Sequence, residues 1–158
     1  MDKKIPMTKE GYEQLLEEMR ELKEERLPKI LREVQVAREQ GDLSENAEYK
    51  FGKEAQRNIE RQIGEISFKL SCADIIDISG RDGETVIFGA TVTFINTETN
   101  ERSTYKIVGE DEANLDLGKI SYKAPLVQAA IGKEPGDKIT VKTGNGTMKL
   151  EIDEVVYK

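Results

Sequence analysis

The sequence predicts an α+β protein: an N-terminal antiparallel helical hairpin with coiled-coil packing, then a small domain of mostly antiparallel strands. Three observations predict it. Apolar residues recur at steps of three and four through residues 8–73, a glycine and two acids interrupt that pattern at 41–45, and after Asp74 the period changes to two. The arm takes 1–76, with its tip at 41–48, and the globular domain takes 80–158.

Thr8 stands where an N-cap belongs. Tyr12, Leu15, Met19 and Leu22 form an apolar stripe that resumes after an offset at Leu27, Ile30, Val34 and Ala37. Pro28 lies at the offset and is expected to kink the helix or shift its phase. Beyond the tip, Phe51, Ala55, Ile59, Ile63, Ile66, Leu70 and Ala73 repeat the spacing. Each stripe is too narrow to hold a helix alone. Folding back at 41–44 pairs positions whose numbers sum to about 85: Tyr12 with Ala73, Leu15 with Leu70, Met19 with Ile66, Leu22 with Ile63 and Val34 with Phe51. The two stripes then meet as knobs and holes. At 1.5 Å per residue, 8–40 makes an arm about 50 Å long.

In the second half, 84–96, 103–108, 138–143 and 148–157 read as strands, separated by the turn signals GRDGE, TETNE and TGNGT. Pro125 opens a short helix, APLVQAAIG, with Gly132 past its end.

Of 158 residues, 35% are charged and 37% hydrophobic, the balance of a soluble chain with a large surface. A net charge of -7 argues against sequence-independent binding to duplex nucleic acid, which requires many phosphate-neutralising cations. With no histidine and one cysteine, Cys72, the chain has no disulfide framework, no Cys/His zinc site and no histidine triad. Cys72 reads as a small buried hydrophobe. No apolar run nears the roughly 20 residues of a membrane span, and the N-terminal residues carry no apolar signal region, which implies a cytoplasmic protein with no membrane partner. The hairpin satisfies its own stripes, which implies a monomer.

Asp42 and Glu45 admit two readings. The spacing D-x-x-E is that of a capping box at the start of the second helix. It also sets two carboxylates side by side, the hard oxygen donors that magnesium takes while leaving other positions to water and phosphate. Two acids alone hold magnesium weakly, so such a site needs completion by a partner. Lys50, Lys53, Arg57 and Arg61 form one stripe on the second helix, almost opposite its apolar face, and residues 26–61 hold eight basics against seven acids. The stripe is either a solvated face paired with neighbouring acids or a guide for the phosphates of a single strand.

The chain resembles the bacterial transcript cleavage factors of the Gre family. IPMTKEGYEQL (5–15), AREQGDLSENAEY (37–49), VIFGATVTF (86–94), YKIVGEDEA (105–113) and AAIGKEPGD (129–137) carry the resemblance nearly end to end. It implies that the protein is not itself an enzyme. The arm would enter the secondary channel of a backtracked RNA polymerase, where Asp42 and Glu45 would help hold a catalytic magnesium shared with the polymerase, whose own site cleaves the 3′ end of the nascent RNA. By the same resemblance Asn46 and Tyr49 shape the tip, while Arg38, Lys50, Lys53 and Arg57 lie near the RNA. The globular domain, similar in fold to FK506-binding proteins, would grip the channel rim through 123–125. There SYKAP departs from the family pattern: Lys123 and Ala124 replace an expected cap and alter the charge before Pro125. Glu54 and Glu60 dilute the basic stripe, as in the less basic type of the family. Three competing readings are a relative that inhibits the polymerase, a prolyl isomerase with a helical extension, and a chaperone-like adaptor.

Overall fold

The computed structural model describes residues 4–41 and 46–158. Its contacts divide the chain into Tyr12–Ala73 and a second unit made of Ile5–Gly11 with Asp74–Lys158.

The first unit is the predicted hairpin. Helix α1 (Lys9–Glu21) passes through a wide π turn (Leu22–Arg26) into α2 (Leu27–Glu39), and α3 (Ala47–Ser71) returns. The π turn explains the offset in the stripe. The Leu27 N–H donates to the Leu22 carbonyl five residues back, Pro28 has no N–H to continue the ordinary ladder, and the one extra residue brings Leu27 back into phase. Leu15, Leu22, Val34 and Ala37 are buried from the first strand of the hairpin, and Gly52, Ile59 and Ile66 from α3.

The predicted pairing of Val34 with Phe51 is off by a residue. Phe51 is 71% exposed, and Gly52 faces Val34 in its place. A Cβ on Gly52 would lie 2.8 Å from Val34 Cγ2, so the missing side chain lets the valine seat and rotates Phe51 out of the seam.

In the second unit, β3 (Thr91–Asn96), β4 (Arg102–Val108), β5 (Lys119–Ser121), β6 (Lys138–Thr143) and β7 (Gly146–Val156) form one sheet in the order β5-β4-β3-β7-β6. All its pairings are antiparallel except β4 with β5. A bulge after Thr93 moves the β7 register from Glu154 to Ile152. Helix α4 (Pro125–Ala130) buries Val127 and Ala130 in a core with Val92, Phe94, Ile107, Leu150 and Ile152.

The predicted strand over 84–96 is shorter than expected. Only Thr91–Asn96 is strand; before it Val86 bonds Lys133 and Gly132 across a loop, and Gly89, at φ +91°, turns the chain. Val86 is fully buried, so this segment is apolar for the core's sake and not for a ladder's.

Two short strands, β1 (Ile5–Met7) and β2 (Ala73–Ile75), pair with each other. Thr8 does cap α1, its Oγ1 accepting from the Gly11 N–H at 3.1 Å. Glu112 completes that cap from far along the chain: its carboxylate accepts from the Thr8 N–H at 3.0 Å, from the Thr8 hydroxyl, and from the Gly109 N–H at 3.1 Å. Gly11 leaves room for it, since a Cβ there would collide with the carboxylate. Cys72 is half-buried beside Ser71, not fully enclosed as predicted. Among the described residues no helix is long and apolar enough to cross a membrane.

Candidate functional site

The end of the hairpin is organised by Asn46. Its Oδ1 accepts from the Tyr49 N–H at 3.0 Å, capping α3, while its Nδ2 donates to the Ala37 carbonyl near the end of α2 at 2.6 Å. One side chain thus caps one helix and ties it to the other. Helix α3 begins at Ala47, so the cap that D-x-x-E spacing offered to Asp42 belongs to Asn46. Asp42 and Glu45 themselves lie outside the described residues.

Beside this cap, the Arg38 guanidinium lies 5.7 Å from the Tyr49 ring centre and donates to the phenol oxygen at 3.5 Å. Hydrogen bonding from Arg38, helped by the positive charges of Arg38, Lys53 and Arg57, holds the Tyr49 hydroxyl below its ordinary pKa.

The stripe that supplies part of this charge has no acidic partner among the described residues. Lys50, Lys53, Arg57 and Arg61 make no ion pair among the described residues; Lys53 reaches only the Gln56 amide oxygen, at 3.4 Å. Among the described residues no ion pair neutralises this face. The structure brings Arg38, Asn46, Tyr49 and Lys53 together, while Lys50 and Arg57 are exposed on the same helix.

The family model for transcription elongation factor, N-terminal, matches residues 5–75, and that for transcription elongation factor, GreA/GreB, C-term, matches 81–157. The chain belongs to the GreA/GreB family. Transcription elongation factor GreA of Trichlorobacter lovleyi is 47% identical over 158 residues, covering 100% of both chains. That of Hyphomonas neptunium is 48% identical, over 98% of this chain and 99% of its own. The solved structure of GreA factor homolog 1 (Gfh1) from Thermus thermophilus is 28% identical over 98% of this chain and 99% of that one, with a TM-score of 0.45.

The other predicted contact of this GreA/GreB chain, 123–125, sits in the sheet unit. Ala124 precedes Pro125 without any side-chain cap for α4. Lys123 is held by Glu110, Nζ to Oε1 3.3 Å, and lies 5.9 Å from the Tyr122 ring, which packs edge-on against Phe88. Its backbone N–H donates to Ser121 Oγ at 3.1 Å, so a serine two residues earlier orders the turn that Ala124 leaves uncapped. Sequence reasoning missed the exposure of Phe51; the glycine beside it was the available signal.

Proposed function

We propose that this chain is a transcript cleavage factor that binds bacterial RNA polymerase in the cytoplasm and stimulates the polymerase's own cleavage of backtracked RNA. Asp42 and Glu45 would act within the polymerase site and Asn46 would set the end from which they project. The cations beside Tyr49 carry the reading: Lys50, Lys53 and Arg57 have no acidic partner among the described residues and would be kept for phosphates, and with Asn46 capping α3 the acids would be left for a metal.

Two carboxylates match magnesium's preference for oxygen donors but fill only part of its shell, so polymerase and substrate would supply the rest. Such an ion stabilises charge on the phosphate and activates water. Arg38, Lys53 and Arg57 would orient the RNA 3′ segment, and Lys123, Ala124 and Pro125 would touch the rim of the polymerase's secondary channel.

The test is a stalled, backtracked elongation complex with 3′-labelled RNA at limiting magnesium. Wild type should accelerate release of short 3′ fragments, and the Asp42→Asn, Glu45→Gln pair should bind equally and release none. Equal acceleration by both proteins removes the acids from the mechanism. If both bind and neither accelerates, the chain is an inhibitor of the polymerase.

A further inference from the structure

Two of the stretches that carry the family resemblance, 5–15 and 105–113, have no part in the tip, and they meet at Glu112. Its half-buried carboxylate takes donors from both stretches. Oε2 accepts from the Thr8 N–H at 3.0 Å and from the Gly109 N–H at 3.1 Å. Oε1 accepts from the Thr8 hydroxyl, whose oxygen accepts in turn from the Gly11 N–H at 3.1 Å. Thr8 is 5% exposed, and among the described residues no cation pairs with Glu112.

Two glycines make room for this contact. A Cβ on Gly11 would lie 2.2 Å from the Glu112 carboxyl carbon, and one on Gly109 would lie 2.7 Å from the Pro6 carbonyl oxygen. Neither glycine takes a positive φ, so each supplies space and not backbone freedom. Thr8 by itself already caps Gly11, so a carboxylate brought from 104 residues away adds a tether beyond the cap.

The tether holds the root of the arm. Helix α1 runs unbroken from Lys9 to Glu21, its first turn grouped with the sheet and Tyr12 onward with the hairpin. At 1.5 Å per residue, 8–40 rise about 50 Å, so a tilt of about 5° in the first turn displaces the far end by about 4 Å. A misplacement of about 1 Å can cost a reaction on the order of a hundredfold. Acids that complete a metal site in another molecule are therefore sensitive to whatever holds the first turn of α1. We propose that Glu112 is a positioning residue for transcript cleavage, which rests on the function proposed above. By holding Thr8 in the space that Gly11 leaves, it fixes the first turn of α1 and with it the reach of Asp42 and Glu45.

The backtracked complex with 3′-labelled RNA tests this when titrated with full-length protein, so that half-saturating concentration and rate at saturation are read separately. Glu112→Ala should lower the saturating rate at least about tenfold while the half-saturating concentration stays within about threefold. Glu112→Gln keeps one oxygen for the two N–H donors and should recover most of that loss. Gly11→Ala reaches the same contact from the other side. Alanine is the better helix former, yet its Cβ evicts the carboxylate, so the saturating rate should fall as it does in Glu112→Ala. In the double variant that Cβ meets no carboxylate, and the rate should be no lower than in either single variant. Destabilisation alone would act differently: a smaller folded fraction raises the half-saturating concentration and leaves the plateau unchanged. Single variants that reach the wild-type plateau overturn the proposal, as does a double variant whose losses add. Wild type that accelerates no cleavage removes the function proposed above and this role with it.

Discussion

The two ends of the hairpin are built from the same kind of helix and finish in opposite states. Near its start, Arg20 is surrounded by Glu17, Glu24 and Glu25 at 2.7, 3.3 and 3.4 Å, and Leu15 and Leu22 are buried beneath it. Toward the tip, Lys50, Lys53 and Arg57 have no acidic partner among the described residues, and Val36 and Phe51 are exposed. The first end spends its interactions on itself. The second leaves both charge and apolar surface open to solvent.

Substitutions at matched positions sharpen that contrast. The largest effect is expected at the buried end: Leu22→Ala, at a side chain 1% exposed, should cost about 2–5 kcal/mol in denaturant unfolding. Phe51→Ala should leave stability within about 0.5 kcal/mol, and an equal loss at both sites would erase the distinction. Gly52→Leu comes next, because a side chain there meets Val34; overpacking should cost about 1–3 kcal/mol. Asn46→Ala removes the α3 cap and the tie to Ala37, for about 1–2 kcal/mol, and should speed hydrogen exchange of the first α3 amides before those near Ile66.

A smaller effect on stability is expected from Lys53→Ser with Arg57→Ser, which should leave the unfolding midpoint nearly unchanged while weakening RNA-dependent activity and flattening its salt dependence. Smallest of all is Glu17→Gln. Arg20 holds the Glu17 carboxyl below its ordinary pKa by hydrogen bonding, so whatever this exposed pair contributes is present above that ordinary value and lost as pH falls through the lowered one. Wild type and variant should differ slightly at neutral pH and converge in acid; divergence in acid would mean that Glu17 acts through another contact.

Much of this arrangement was legible beforehand. Steps of three and four locate the helices because an amphipathic helix must bury one stripe; the offset at Leu27 marked a kink or phase shift at Pro28, and only the structure makes it a π turn. The basic stripe was legible as a position on α3 but not as unpaired, since i to i+4 spacing tells which charges are neighbours and not which rotamers meet. The strand predicted over 84–96 failed because Val86 is apolar for a loop that folds into the core, a choice local periodicity does not encode.

Composition and spacing by themselves determined the helical hairpin, the β half and the absence of histidine chemistry, because these depend on which residues are present and how often they recur. Tertiary structure decided that Gly52 and not Phe51 faces Val34, that Asn46 caps α3, and that Glu112 closes the cap at Thr8 across more than a hundred residues. Each of those depends on where a second segment stands in space: a Cβ is excluded, or a carboxylate accepted, only by the atoms opposite it.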